Sequence, residues 1–400
     1  MWRILLAGLV GATLLTLTGC QRAAHEMEPF RPLEEPDYGR PLPPGALALR
    51  KISPEHYPDF SRGFHHRAGL EDAIRHSLEY LAKPSSQRYY PYGEITHARV
   101  VASLERFLEL LRDSRSAVDL DQAIRAEFDV YQSVGCDDQG TVYFTGYYCP
   151  IFQGRLQREG AFVYPLYGLP PDLVKDAEGQ ILGRRTPAGG LVPYYTRREI
   201  EAGGVLRGQE IAWLKDPFET YVATVQGSAK LRLPGGRLYE LGYAGNNGYE
   251  YTSVGRLMVD AGVIGRDELS LQTMLRYFAA NPRDVERFCW QNDRFAFFQE
   301  RSGGPFGSLN VPVTRMRSIA TDKAVFPRAA LTFIDTELPI VYEGVAQTVP
   351  FGGFALDHDT GGAIRAAGRC DIYMGVGAAA EAIAGRTGSE GTLYYLFIKK

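Results

Sequence analysis

The sequence predicts a mainly β protein with N-terminal helices. Three observations carry that expectation. First, 400 residues at 45% hydrophobic content suit about two domains of roughly 100–200 residues and a sizeable buried core. Second, 44 Gly, 24 Pro and 24 Tyr against 3 Trp describe a turn-rich chain with aromatics that can face water. Third, the apolar spacing changes near Gly135, from helical to strand-like. A charged fraction of 23% and a formal net charge of −3 exclude global disorder and leave no basic footprint for nucleic acid.

Taken in order, residues 1–20 read as a signal peptide. Arg3 is the only early charge, and residues 4–17 are apolar, too short for a confident membrane span. The stretch ends in Leu17-Thr18-Gly19-Cys20, which resembles a bacterial lipoprotein box with Cys20 as the lipidated residue. Gln21 after that cysteine favours the outer membrane by analogy. Residues 21–60, rich in Pro, Glu and Arg, read as a flexible tether. Helical spacing follows at 68–82, 97–113 and 117–131; in the second, Val101, Leu104, Phe107, Leu108 and Leu111 share a face. From 135 to about 260, short apolar runs alternate with Gly and Pro turns, as at 142–148, 161–167, 221–225 and 230–233, and predict strands. Helices are expected at 267–280 and 283–290. Strands return at 318–320, 330–334, 340–342, 372–374 and 393–398. Cys136, Cys149, Cys289 and Cys370 allow three pairings or four buried thiols.

Several chemistries are excluded by pattern. Six of the seven histidines precede residue 100, and neither H-E-x-x-H nor G-x-S-x-G occurs. His358, the exception, reads as a surface or turn residue. Gly375-Val376-Gly377 mimics a dinucleotide fingerprint, but the acidic residue needed about 20 positions on is missing. Asp359-Thr360-Gly361 mimics an aspartic protease, yet occurs once, so that reading needs a dimer.

Carboxylates near the C-terminus remain. Asp357, Asp359 and Asp371 fall within fifteen residues. Alternation places Cys370, Ile372 and Met374 on one strand face, and Asp371 with Tyr373 on the other. An Asp beside an aromatic and near other carboxylates should hold its proton more tightly, which suits glycosidic bond cleavage. The competing expectation is an Asp on a solvated face, paired with Arg369. A second constellation comprises Tyr147 and Tyr148, then Gln226, Gly227 and Ser228, then Asn246 and Asn247. Flat aromatic faces with amide and hydroxyl groups suit sugar binding; the same residues also suit turns.

These pieces come in an order that resembles the membrane-bound lytic murein transglycosylases of the A type, the MltA family. The resemblance is carried by Phe144-Thr145-Gly146-Tyr147-Tyr148, Tyr164-Pro165-Leu166-Tyr167, Thr196-Arg197-Arg198-Glu199-Ile200, Val225-Gln226-Gly227-Ser228 and Tyr243-Ala244-Gly245-Asn246-Asn247-Gly248. It continues through Asn292, Arg317-Ser318-Ile319-Ala320-Thr321-Asp322, Asp359-Thr360-Gly361-Gly362 and Asp371-Ile372-Tyr373. It implies a large domain with a double-psi β-barrel, formed by about 61–138 and 300–400, with a 3D module at about 302–377. A smaller inserted β-domain would occupy 139–299. Asp371 would be the acid and then the base, with Asp359 and Asp322 supporting it. Tyr147, Tyr148, Gln226, Gly227, Ser228, Asn246, Asn247 and Tyr373 would hold the glycan. The implied partners are peptidoglycan strands, the outer membrane through a lipid on Cys20, and other cell-wall enzymes. No metal or cofactor is implied. A non-catalytic peptidoglycan-binding lipoprotein is the competing function.

Overall fold

Residues 36–176, 180–342 and 345–400 are described by the computed structural model. The expected signal peptide, Cys20 and residues 21–35 of the tether lie outside the described residues.

Six strands close into a barrel. Leu331–Tyr342 and Val345–Asp359 form a long antiparallel pair. Val345–Asp359 also runs parallel to Ser318–Ala320, which pairs antiparallel with Arg369–Val376. Arg369–Val376 runs parallel to Val142–Cys149. Gly388–Ile398 pairs with both Val142–Cys149 and Leu331–Tyr342 and completes the ring. Closure removes the free edges an open sheet would expose. Unbroken burial over 351–357 and 393–397 shows why these strands lack polar alternation: one face fills the barrel and the other is covered by helices.

His97–Asp113 packs on Gly388–Ile398, and Leu70–Leu81 on Val345–Asp359. Thr96 caps the former by accepting the Arg99 amide. Its buried Val100, Leu104, Phe107 and Leu111 recur at helical spacing and turn one stripe to the barrel. Ala117–Glu127 starts in a Ser116/Asp119 capping box but stops earlier than its expected end at 131. Phe128–Ser133 is a strand, because Leu49–Lys51 and Gly388–Ile398 pair with it from both sides; such pairing overrides weak helix propensity. Residues 36–60 of the expected tether likewise pack on the body. Ala48 and Phe60 are fully buried, and Leu49–Lys51 is part of the sheet.

A second core lies within 150–300. Ala296–Glu300, Leu238–Asn246, Ala229–Arg232 and Ile151–Gln153 form a four-stranded sheet, packed near Phe218, Tyr221, Phe278 and Phe288. The strand expected at 221–225 is instead part of the helix Pro217–Gln226. Asp216 accepts the Phe218 and Glu219 amides at 2.8 and 2.9 Å, Pro217 suits the first turn, and Gly227 at φ 70° ends the helix. Burial of most of its sides explains why the run lacks a helical stripe. The four cysteines are free and buried.

The barrel core centres on Phe354, whose ring lies 4.8 Å from Phe107, 5.0 Å from Phe333 and 6.2 Å from Phe60. Phe354→Ala is expected to destabilise the fold by about 3–5 kcal/mol, read as a lower denaturant midpoint with an unchanged slope.

Candidate active site

The site is set by strand register around Ala320. Its neighbour on one side is Asp371 and on the other Asp359, so the two carboxylates sit two strand spacings apart, about 10 Å between backbones. Beyond Asp371 lies Thr145. Cys370, Ile372 and Met374 are fully buried in the core, and alternation leaves Asp371 and Tyr373 facing a cavity of about 340 Å³.

A bulge decides which of the neighbouring carboxylates joins them. Ile319 pairs with Asp357 but Ala320 pairs with Asp359, so His358 is an extra residue in its strand. Such an insertion re-aims the side chains that follow. Asp359 therefore lines the cavity. Asp357 turns inward, pairs with Lys323, and accepts from Thr321 and Tyr395 hydroxyls at 2.7 and 2.8 Å. His358 is fully buried rather than a surface or turn residue. Its ring nitrogens each lie 2.8 Å from a hydroxyl, Ser77 on one side and Ser318 on the other. Burial pushes its pKa down to about 3, so it stays neutral.

The two cavity carboxylates differ in what serves their charge. Asp359 Oδ1 accepts the backbone N–H groups of Ser308 and Thr360 at 2.7 and 2.8 Å. Burial raises its pKa, and those two amides oppose the rise. Asp371 Oδ1 is buried without a hydrogen-bond partner. Burial pushes the Asp371 carboxyl up to about 6; the nearby Arg369 guanidinium and the Thr145 hydroxyl oppose this, and the Asp359 charge adds to it. The hydroxyls of Tyr147 and Tyr373 are also buried and unpartnered, with their rings 5.2 Å apart on the cavity wall.

The facing wall comes from the second core. Gln226, Gly227 and Ser228 line it at the end of Pro217–Gln226, together with Tyr243, Tyr251 and Arg294. Arg197 is almost wholly buried behind them and donates to the carbonyls of Asn292 and Arg294 and to the Thr224 hydroxyl. It thereby fixes the segment that carries Arg294.

Of the expected site residues, Asp371, Asp359, Tyr147, Tyr373, Gln226, Gly227 and Ser228 converge on this cavity. Four do not. Asp322 accepts the amides of Ala324 and Ala366 at 3.0 and 2.8 Å, so it fastens the loop that carries the cavity residues 361–365. Tyr148 faces away from the cavity, as alternation after Tyr147 requires, and lies near Glu381 and Glu219. Asn247 spends its amide on the carbonyls of Tyr195 and Asp293 and the amide of Phe295. Asn246 bonds Tyr243 and Gly248 locally. Asn246 is the turn chemistry that the sequence offers there, whereas Asn247 ties the turn to two distant segments. Arg294, Arg369, Tyr243 and Tyr251 were not among the expected site residues; no spacing rule joins Arg294, Tyr243 and Tyr251 to Asp371, whereas Arg369 shares its strand face by period-two alternation and the sequence offers it only as a surface ion-pair partner. Among the described residues no group of three or more His, Cys, Asp or Glu is placed to hold a metal ion.

Two family models define the class of the chain. Residues 143–299 match the MltA specific insert domain and residues 317–397 match the 3D domain. The chain belongs to the MltA family, with a 3D domain as its C-terminal part. It is 30% identical over 257 residues to the membrane-bound lytic murein transglycosylase A of Escherichia coli strain K12, covering 62% of this chain and 64% of that protein. For the Vibrio cholerae protein of the same name the identity is 30% over 264 residues, 64% of this chain and 66% of that one. The match thus spans slightly under two thirds of these relatives' lengths. The crystal structure of a membrane-bound lytic murein transglycosylase from Agrobacterium tumefaciens superposes with a TM-score of 0.72 at 25% identity, over 88% of this chain and 98% of that one. The E. coli MltA structure with bound chitohexaose gives 0.67 at 24%, over 92% and 98%, a likeness of fold.

The buried Asp371 carboxyl has a testable thermodynamic signature. Its folded pKa lies above its unfolded value of 3.8, so ionising it costs the native state more than the unfolded chain. That cost is absent below the unfolded value and complete above the folded one. Asp371→Asn removes it. The variant should melt higher than wild type at pH 8, with the difference vanishing toward pH 4 in parallel thermal scans.

Proposed function

We propose that this protein is a lytic transglycosylase that cleaves the β-1,4 bond between N-acetylmuramic acid and N-acetylglucosamine in peptidoglycan. The observation that carries this reading is the unpartnered Oδ1 of Asp371, held in a polar, aromatic cavity at a pKa of about 6. The names of the relatives and the chitohexaose bound to the E. coli protein support the choice of substrate.

The chemistry needs one titrating group. Protonated Asp371 gives its proton to the glycosidic oxygen, the C1–O bond breaks, and N-acetylglucosamine leaves with a new hydroxyl. Positive charge develops at the muramyl C1. The muramyl 6-hydroxyl attacks that carbon, and its proton passes to the Asp371 carboxylate. The product is a 1,6-anhydromuramyl end, and the acid is restored without water being consumed. Hydrolysing glycosidases commonly use two carboxylates. Here the intramolecular hydroxyl stands in for the second, with the high effective concentration that such attack brings. Asp359, bonded to two amides, acts as a fixed charge that raises the proton affinity of Asp371 and faces the developing positive charge. Asp322 acts indirectly, through the loop it fastens.

Three finer readings belong to this proposal. The closed barrel is of the double-psi type. Cys20 carries the lipid, which tethers the protein to the periplasmic face of the outer membrane. Peptidoglycan strands are the ligand of the cavity. No helix among the described residues is long and apolar enough to cross a membrane, so attachment in this reading rests on the lipid.

Asp371→Ala should keep murein binding and lose cleavage by more than about 10³-fold. Wild-type products should be lighter by one water than hydrolysis products in mass spectrometry of digested murein; reducing ends alone would sink the reading. Because the acid form starts the reaction, kcat/KM should fall about tenfold per pH unit once pH exceeds about 6, measured on soluble glycan strands.

A further inference from the structure

Arg369 is a cation beside the acid that enters none of the ion pairs formed among the described residues. It lies on the same strand face as Asp371, one two-residue step of about 6.6 Å away, and it lines the same cavity. Its guanidinium stands over the Tyr143 ring at 5.3 Å. Nη2 donates to the Thr145 hydroxyl at 3.3 Å. Nε is buried and has no acceptor. The ion pairs formed among the described residues leave Arg369 out, including any with Asp371. A buried donor left without an acceptor is costly, and a guanidinium held against an aromatic ring presents a fixed fork that fits a carboxylate better than a lone hydroxyl.

The facing wall repeats the sign. Arg294 lines the cavity, donates Nη1 to the Tyr249 carbonyl at 2.8 Å, and reaches across to Gly362, where an added Cβ would meet its Nε at 3.0 Å. A carboxylate entering between these walls meets two guanidiniums that form no ion pair among the described residues.

We propose that Arg369 is a specificity-determining residue that pairs with a carboxylate carried on the 3-O-lactyl arm of the muramyl sugar, so that the cavity selects acidic peptidoglycan strands over neutral, chitin-like ones. This rests on the glycan-cleaving reading. The carboxylate has two sources: the free lactyl group of a strand stripped of peptide, or an acid of the attached stem peptide.

The test uses the full-length protein carrying Asp371→Asn, so that strands are bound and not cut. Its affinity is measured for three strand preparations of equal length: with stem peptides, with peptides enzymatically removed, and with all carboxylates converted to neutral amides. Asp371→Asn should prefer a carboxylate-bearing strand to the neutralised one by about tenfold or more, the scale of a charge-assisted hydrogen bond. Adding Arg369→Met should erase that preference, and a thermal melt matching that of Asp371→Asn shows that the variant is folded. Arg369→Lys should keep part of it. Preference lost on peptide-free strands assigns the lactyl acid, and preference lost only on peptide-bearing strands assigns the stem. Equal loss of affinity for all three, or a preference that survives Arg369→Met, overturns the proposal. Binding needs no cleavage, so a wild type that yields no anhydro product would sink the reaction without touching this result.

Discussion

The register around Ala320 is the constraint on which the site depends. A strand with strict alternation would send Asp357 and Asp359 to the same side. The extra residue at His358 separates them. One carboxylate goes inward to Lys323, Thr321 and Tyr395, and the other comes to the cavity beside Asp371. His358 itself is gripped between Ser77 and Ser318. A helix outside the barrel thus helps to hold the bulge, and through it the acid pair.

Environment then sets apart two chemically identical groups. Asp359 receives two amide donors and Asp371 Oδ1 receives none. Pairs of carboxyls whose surroundings push their proton affinities apart are a recurring sign of assigned roles. Beneath them the buried Lys323–Asp357 pair supplies a positive charge that opposes the rise at Asp359. Removing one partner of such a pair leaves an uncompensated charge and is strongly destabilising. The site is therefore anchored by a group that never meets the cavity.

Much of this was legible in residue order, and what was not has a common cause. The face that Asp371 shares with Tyr373 follows from period-two alternation alone, and the helix at 97–113 from its apolar stripe. The helix at 217–226 was hidden because burial on most sides erases the stripe. The anchoring role of Asn247 and the fastening role of Asp322 turn on backbone partners up to 52 positions away, which spacing cannot reveal. The bulge at His358 was invisible for the same reason: it exists only relative to the strand at Ser318–Ala320. Arg294 and Arg197 belong to a wall assembled by distant pairing, and no local pattern marks them.

The way the ring closes carries one more consequence. Thr145, neighbour of Asp371, sits on a strand whose other partner is the stretch at 388–391. Those residues are made more than two hundred positions later. During synthesis the nascent chain holds the lining residues of the cavity before the strand that completes the ring, and pairing over such separations comes late. The cavity is thereby completed only when the last strand joins the ring, a consequence of topology alone.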